Sequence, residues 1–173
     1  MRILFTSILI IFYNCILVQA QQSSIRKIDS RKNYVDKNIK RYKKKTTKDS
    51  LGTYIGYYNK KGDLVKLRHI VKKDTESKYT DFYYINYHLV LLVENHYLFN
   101  KPKYWTKKFA KQNGLDGYYD VNKTNKRVCK YYLKDNRLIS YVRDGKEKDI
   151  HLRKSLEKTI LHLADEAWVA MRN

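Results

Sequence analysis

The chain has 173 residues, 37 Lys or Arg against 17 Asp or Glu, a formal net charge of +20, and only two cysteines. That length fits one domain with a sizeable core better than two, and the cysteine count excludes a disulfide framework, so packing must supply the stability. The charge invites a polyanion partner, but 27 of the 37 basic residues are Lys, a compact solvated cation, rather than Arg, the bidentate phosphate fork. Set beside the many Asn, Tyr and Ile residues that an AT-rich genome encodes, the charge reads first as a solvated surface.

Residues 1–20 form a separate object. Arg2 gives a positive start, Ile3 to Val18 is mostly apolar, and Val18-Gln19-Ala20 places short residues where a signal peptidase cuts. This predicts cleavage after Ala20 and a periplasmic or secreted product. A retained anchor is disfavoured because Thr6, Ser7 and Asn14 interrupt a stretch already short for a span, and lipid attachment at Cys15 because bulky Phe12-Tyr13-Asn14 precedes it. Cleavage leaves Cys129 alone, within an apparent strand, where a buried inert thiol is expected.

Residues 21–50 read as a helix and a basic linker. Ile25, Ile28, Val35, Ile39 and Tyr42 form a helical stripe, which predicts one helix from about Asp29 to Tyr42. The basic run Arg41 to Lys48 repels itself and is expected to stay extended, leading into the sheet.

From residue 51 the period changes to two, and residues 51–173 are predicted to form the α+β domain. Three segments write two tyrosines, a polar turn, and a leucine followed by a second aliphatic residue: Tyr57-Tyr58 with Leu64-Val65, Tyr83-Tyr84 with Leu89-Val90, and Tyr131-Tyr132 with Leu138-Ile139. Aromatic and β-branched residues suit a pleated surface, while Gly and Asn tolerate the positive φ of a tight turn. Hairpins are therefore expected over 53–72, 78–97 and 126–143, six strands in all, turning at Gly62, Asn86-Tyr87 and Asp135-Asn136. The unbroken Leu89-Val90-Leu91-Leu92-Val93 reads as a central strand covered on both faces. Residues 100–125, which contain Pro102, Gly114 and Gly117, read as a long loop pinned by Tyr104 and Trp105. Leu152, Leu156, Ile160, Leu163, Ala167 and Met171 then predict an amphipathic helix over 149–171, packed across one face of an antiparallel meander, with Trp168 closing one end of the core.

The hairpin signature of Tyr83-Tyr84…Leu89-Val90 and Tyr131-Tyr132…Leu138-Ile139, with its flanking helices, resembles a group of uncharacterised small secreted proteins of Bacteroidetes-type bacteria. The tyrosine-turn-leucine pattern is also similar to MORN-type hairpin repeats, although the regular glycines and constant spacing of those repeats are missing. The resemblance implies an exported α+β fold and carries no assigned activity with it.

No His-x-x-x-His pair or cysteine pair offers a metal site; His151 and His162, eleven apart on one helix, are better read as two separate surface histidines. No cofactor is implied. For hydrolysis, Glu94 and His96 are one residue apart on a strand and so share a face, with Asp81 on the preceding strand. Strand ends routinely carry solvated polar groups, so this enzyme reading stands second. The leading expectation is a non-enzymatic module whose sheet presents Tyr and Lys to an envelope protein or glycan, through Tyr57, Tyr83, Tyr104, Trp105 and Lys107. The third is non-specific attraction of anionic polymers or membrane surface to Lys43-Lys44-Lys45.

Overall fold

A computed structural model describes residues 2–150 and 153–172. The class is α+β, as expected, but the antiparallel meander has eight strands rather than about six. A helix α1 (Arg2–Lys37) is followed by β1 (Lys43–Asp49), β2 (Gly52–Tyr58), β3 (Leu64–Lys72), β4 (Glu76–Ile85) and β5 (His88–Leu98). A short helix α2 (Lys107–Gln112) precedes β6 (Asn125–Lys134), β7 (Arg137–Arg143), β8 (Lys146–Glu147) and the helix α3 (Arg153–Arg172). The strands lie in sequential order in one sheet.

The chain divides into two compact units after Asn38, the first carried by α1. This helix starts earlier and ends earlier than the expected Asp29 to Tyr42. Asn38 closes it, its side chain and its own N–H both donating to the Tyr34 carbonyl at 2.9 and 3.1 Å. The basic linker expected next is instead an edge strand, β1, paired with β2 from Lys43 opposite Tyr58 to Asp49 opposite Gly52. Backbone pairing overrides the repulsion between its lysines, because alternation sends successive side chains to opposite faces. The turn into β2 is set by Asp49, whose carboxylate accepts from the N–H groups of Leu51 and Gly52 at 2.8 and 3.0 Å.

The repeated Tyr-Tyr…Leu motif proves to encode a hairpin with a bulge beside its turn. Tyr57 pairs with Lys66 and Tyr58 with Leu64, which leaves Val65 unpaired. The register also steps past Val90, between Leu89 and Leu91, and past Ile139, between Leu138 and Ser140. The second aliphatic residue of each copy is thus the extra bulge residue, and the leucine before it is buried. Bulges increase twist and re-aim side chains, which here turns Leu64, Leu89 and Leu138 into a single core. Asn86, Tyr87, Asp135 and Asn136 all adopt positive φ, the two-residue geometry that matches the twist of the strands.

Helix α3 lies across β1, β2, β3, β5 and β7. It buries Ile160, Ala164, Ala167 and Met171 against Leu67, Phe82, Leu92, Leu133 and the three motif leucines. The alanines let the helix approach closely, and Gly56 does the same from the sheet: a Cβ there would sit 2.8 Å from the Met171 methyl carbon. Trp168 meets Tyr84 edge-on at 5.6 Å, at the rim of the core as expected. Two contacts tie the helix ends to strands. Glu157 accepts from the Leu138 N–H at 2.8 Å, and Lys45 of β1 donates to the Met171 carbonyl, a cation placed at the negative end of the helix. The helix begins at Arg153 rather than Asp149; the predicted positions His151 and Leu152 lie outside the described residues.

Residues 99–124 are more ordered than a long loop requires. Thr106 caps α2 by accepting from the Phe109 N–H at 3.2 Å, and Asn100 bridges the segment through the Tyr118 carbonyl and the Asp120 N–H, both at 3.0 Å. Trp105 is half-buried and its carbonyl accepts from the Tyr119 N–H at 2.7 Å, which closes the segment on itself rather than onto the sheet, and Tyr104 remains 54% exposed.

Candidate functional site

Adjacent tyrosines on a strand necessarily send one ring to each face, so the three pairs do not build a single tyrosine platform. Cross-strand partners define the faces. Gly56, Leu67, Phe82, Leu92 and Tyr131 form one row beneath α3, and Tyr57, Lys66, Tyr83, Leu91 and Tyr132 form a row on the opposite side. Of the second row, Tyr83 and Tyr132 are buried at 2% exposure and Tyr57 is half-buried. Tyr83 is therefore not a ligand-facing ring: its hydroxyl accepts from the buried Lys66 ammonium at 2.8 Å.

That ammonium belongs to an ion cluster. Asp81 receives two parallel bonds from Arg68, at 2.6 and 2.7 Å, and lies 3.1 Å from Lys66. The paired carboxylate holds the Arg68 proton more firmly than usual, against the opposing effect of burial. Asp81 pairs with Val93, and so projects away from Glu94 and His96. The expected three-residue hydrolytic cluster is not assembled: one face carries Glu94 and His96, the other Asp81.

Glu94 and His96 line a groove of about 350 Å³ on the half of the sheet that α3 leaves uncovered, with Lys73, Glu76, Lys78, Arg127, Cys129, Tyr131, Tyr141 and Arg143. Glu94 pairs with Lys78 and also accepts from the Tyr131 hydroxyl at 3.4 Å. Glu76 bonds Lys73 at 2.7 Å and His96 at 3.0 Å, and the Lys73 bond above all holds its carboxyl below the usual range. Burial, then the Glu94 charge, push the Tyr131 hydroxyl up, so it stays protonated and donates. Cys129 is buried and free, as expected, with its sulfur 3.7 Å from the Tyr141 hydroxyl.

At the far end of the opposite face lies a second cleft, of about 430 Å³. Tyr79 and Tyr97 meet edge-on at 5.8 Å on β4 and β5, and Phe99 and Tyr119 meet likewise at 5.7 Å where the 99–124 segment folds back. Lys103 lies over Phe99 at 4.1 Å and Lys126 over Tyr97 at 5.5 Å. The buried Thr124 hydroxyl, which also lines the cleft, has no protein partner. The cleft is rich in Tyr and Lys, as the leading expectation required, but its residues are not the five predicted. Of those, Tyr104, Trp105 and Lys107 lie on the neighbouring segment, where Tyr104 meets Phe109 edge-on, Lys101 covers Trp105, and Lys107 covers Tyr118. Tyr79 and Tyr97 share a face only through the β4–β5 register, and the return of Tyr119 to meet them has no local signal.

Two further histidines occupy simple positions. His162 pairs with Glu166 at 3.3 Å on the exposed side of α3. His69 stacks on Tyr54 at 4.2 Å with its Nε2 3.3 Å from the Leu51 carbonyl, and burial holds its pKa below the ordinary 6.5. The folded state then binds this proton less readily than the unfolded chain, so His69 costs stability as pH falls below about 6.5. Urea titrations of wild type and His69→Gln between about pH 5 and 7 are expected to show a shallower acid loss in the variant.

Among the described residues, no group of three His, Cys, Asp or Glu side chains converges on a metal position, and no helix is long and apolar enough to cross a membrane. No family model, curated protein or solved structure matches the chain.

Proposed function

We propose that the protein is an exported, non-enzymatic binding module of the cell envelope whose aromatic cleft at Tyr79, Tyr97, Phe99 and Tyr119 takes an acidic glycan. The observation that carries this reading is the combination of four rings, two lysines and one unpartnered hydroxyl in a single cleft. Sugar rings present C–H faces that pack on aromatic surfaces, their hydroxyls satisfy buried polar groups such as Thr124 Oγ1, and a carboxylate or sulfate on the ring pairs with Lys103 and Lys126. The volume suits a small ligand of one or two sugar units rather than a protein epitope, which favours the glycan over the envelope-protein alternative.

The two other readings have weaker support. Hydrolysis retains Glu94 and His96 in one groove, but each is engaged in an ion pair and Asp81 is on the far face. Polyanion capture by Lys43-Lys44-Lys45 competes with a simpler role for an exposed edge strand, whose lysines discourage strand addition by another chain.

The test is calorimetric titration of the full chain with hyaluronan, alginate and pectin oligosaccharides near 0.15 M salt, about physiological screening. At least one is expected to bind, with affinity lowered about tenfold by Tyr97→Ala and unchanged by Lys43→Gln/Lys44→Gln. Binding lost with the edge lysines and retained in Tyr97→Ala would overturn the assignment, as would no binding to any of the three.

A further inference from the structure

The groove on the helix side is electrostatically unbalanced in a specific place. Its carboxylates are committed at one end, Glu94 to Lys78 and Glu76 to Lys73 and His96. On the next two strands Arg127 and Arg143 form no ion pair among the described residues, although Glu94 stands across from Cys129 and diagonally from Arg127. Arg143 Nε donates to the Tyr141 hydroxyl at 2.7 Å, which orients the guanidinium beside the Cys129 sulfur.

Register puts the two arginines within reach of one small group. Cys129 pairs directly with Arg143, and Arg127 lies two residues before Cys129 on the same face. Arg127 and Arg143 are thus diagonal neighbours on adjacent strands, a relation that sets Cα atoms roughly 7–8 Å apart. Long side chains that leave adjacent strands at that Cα spacing can bring two guanidinium forks onto one tetrahedral oxyanion, each with two parallel donors. The floor between them is the buried Cys129 thiol and the Tyr141 hydroxyl, with Tyr131 stacked on Tyr141 at 4.8 Å and 4° as a flat wall. None of this overlaps the aromatic cleft, which lies on the other side of the sheet.

We propose that Arg127 and Arg143 form a binding site for a phosphate group, whether inorganic phosphate or the terminal group of a phosphomonoester. The groove, at about 350 Å³, holds more than the anion, so an ester with a small organic body fits along the Tyr131 and Tyr141 wall.

The experiment measures binding of inorganic phosphate and of ribose 5-phosphate by NMR titration of the full chain, with chloride at matched ionic strength as the reference. Alkylation of Cys129, mapped by mass spectrometry, gives a second, local readout. Saturable binding is expected for both probes, with slower Cys129 alkylation when either is present. Arg127→Gln and Arg143→Gln are each expected to weaken binding by about tenfold or more. A control that removes two positive charges elsewhere, Lys60→Gln/Lys61→Gln on the exposed β2–β3 turn, is expected to leave it unchanged. If neither probe binds saturably, or if the arginine variants behave like the lysine control, the site does not exist. Both variants alter exposed side chains, so thermal unfolding is expected to confirm that each retains the fold.

Discussion

Asp81→Ala is expected to destabilise the protein by about 3–5 kcal/mol, because it strands the buried Lys66 ammonium beside an Arg68 guanidinium whose two best bonds have been removed. The loss reflects an uncompensated buried charge more than a favourable ion pair. A second variant separates the two. Replacing both members by apolar residues of similar volume, Lys66→Met/Asp81→Leu, removes the charge along with its partner and is expected to recover most of the loss. Chemical denaturation of wild type, the single variant and the double variant measures this directly. If the double variant is no more stable than Asp81→Ala, the cluster contributes through its own attraction and this interpretation fails.

The second large effect distinguishes two neighbouring aliphatic residues. Leu89→Ala removes a side chain that is 5% exposed and packed in the core beneath α3, with an expected cost of about 2–5 kcal/mol. Val90→Ala changes the next residue, which is half-buried and sits in the bulge without a partner on β4; its expected cost is below about 1.5 kcal/mol. Equal costs at the two positions would contradict the division of labour assigned to the motif, in which the leucine anchors and its neighbour bends the strand.

Most of the meander was legible because local chemistry and burial agree in it. Tyr-Tyr pairs, positive-φ turn residues and the leucines all point to hairpins, and Ile160, Ala167 and Met171 were found on the stripe that faces the sheet. The two missed strands failed for different reasons. β1 was hidden by composition, since lysines on an edge strand look like a linker until the pairing with β2 is known; the Asp49 to Gly52 turn was its only local sign. β8 is two residues long, and Asp144-Gly145, a favourable hairpin pair with positive φ at both residues, was the signal that marked it.

The site was less legible than the fold. Parity alone separates Asp81 from Glu94 and His96 once the β4–β5 register is known, because Asp81 stands opposite Val93. Register depends on how each bulge falls, and a single skipped residue reverses which face a strand presents. The aromatic cleft required contact between β4, β5 and a segment more than twenty residues further along the chain, which no periodicity records.

The cleft that joins Tyr79 and Tyr97 to Phe99 and Tyr119 carries the proposed binding function. Its most direct test is an NMR titration of the isotope-labelled full chain, following the aromatic ring protons, with the oligosaccharide that binds in calorimetry. Shifts and ligand-to-ring contacts are predicted at Tyr79, Tyr97, Phe99 and Tyr119, with Tyr57 and Tyr83 unmoved. Contacts that fall instead on Tyr104 and the edge lysines, leaving the four cleft rings unchanged, would contradict it.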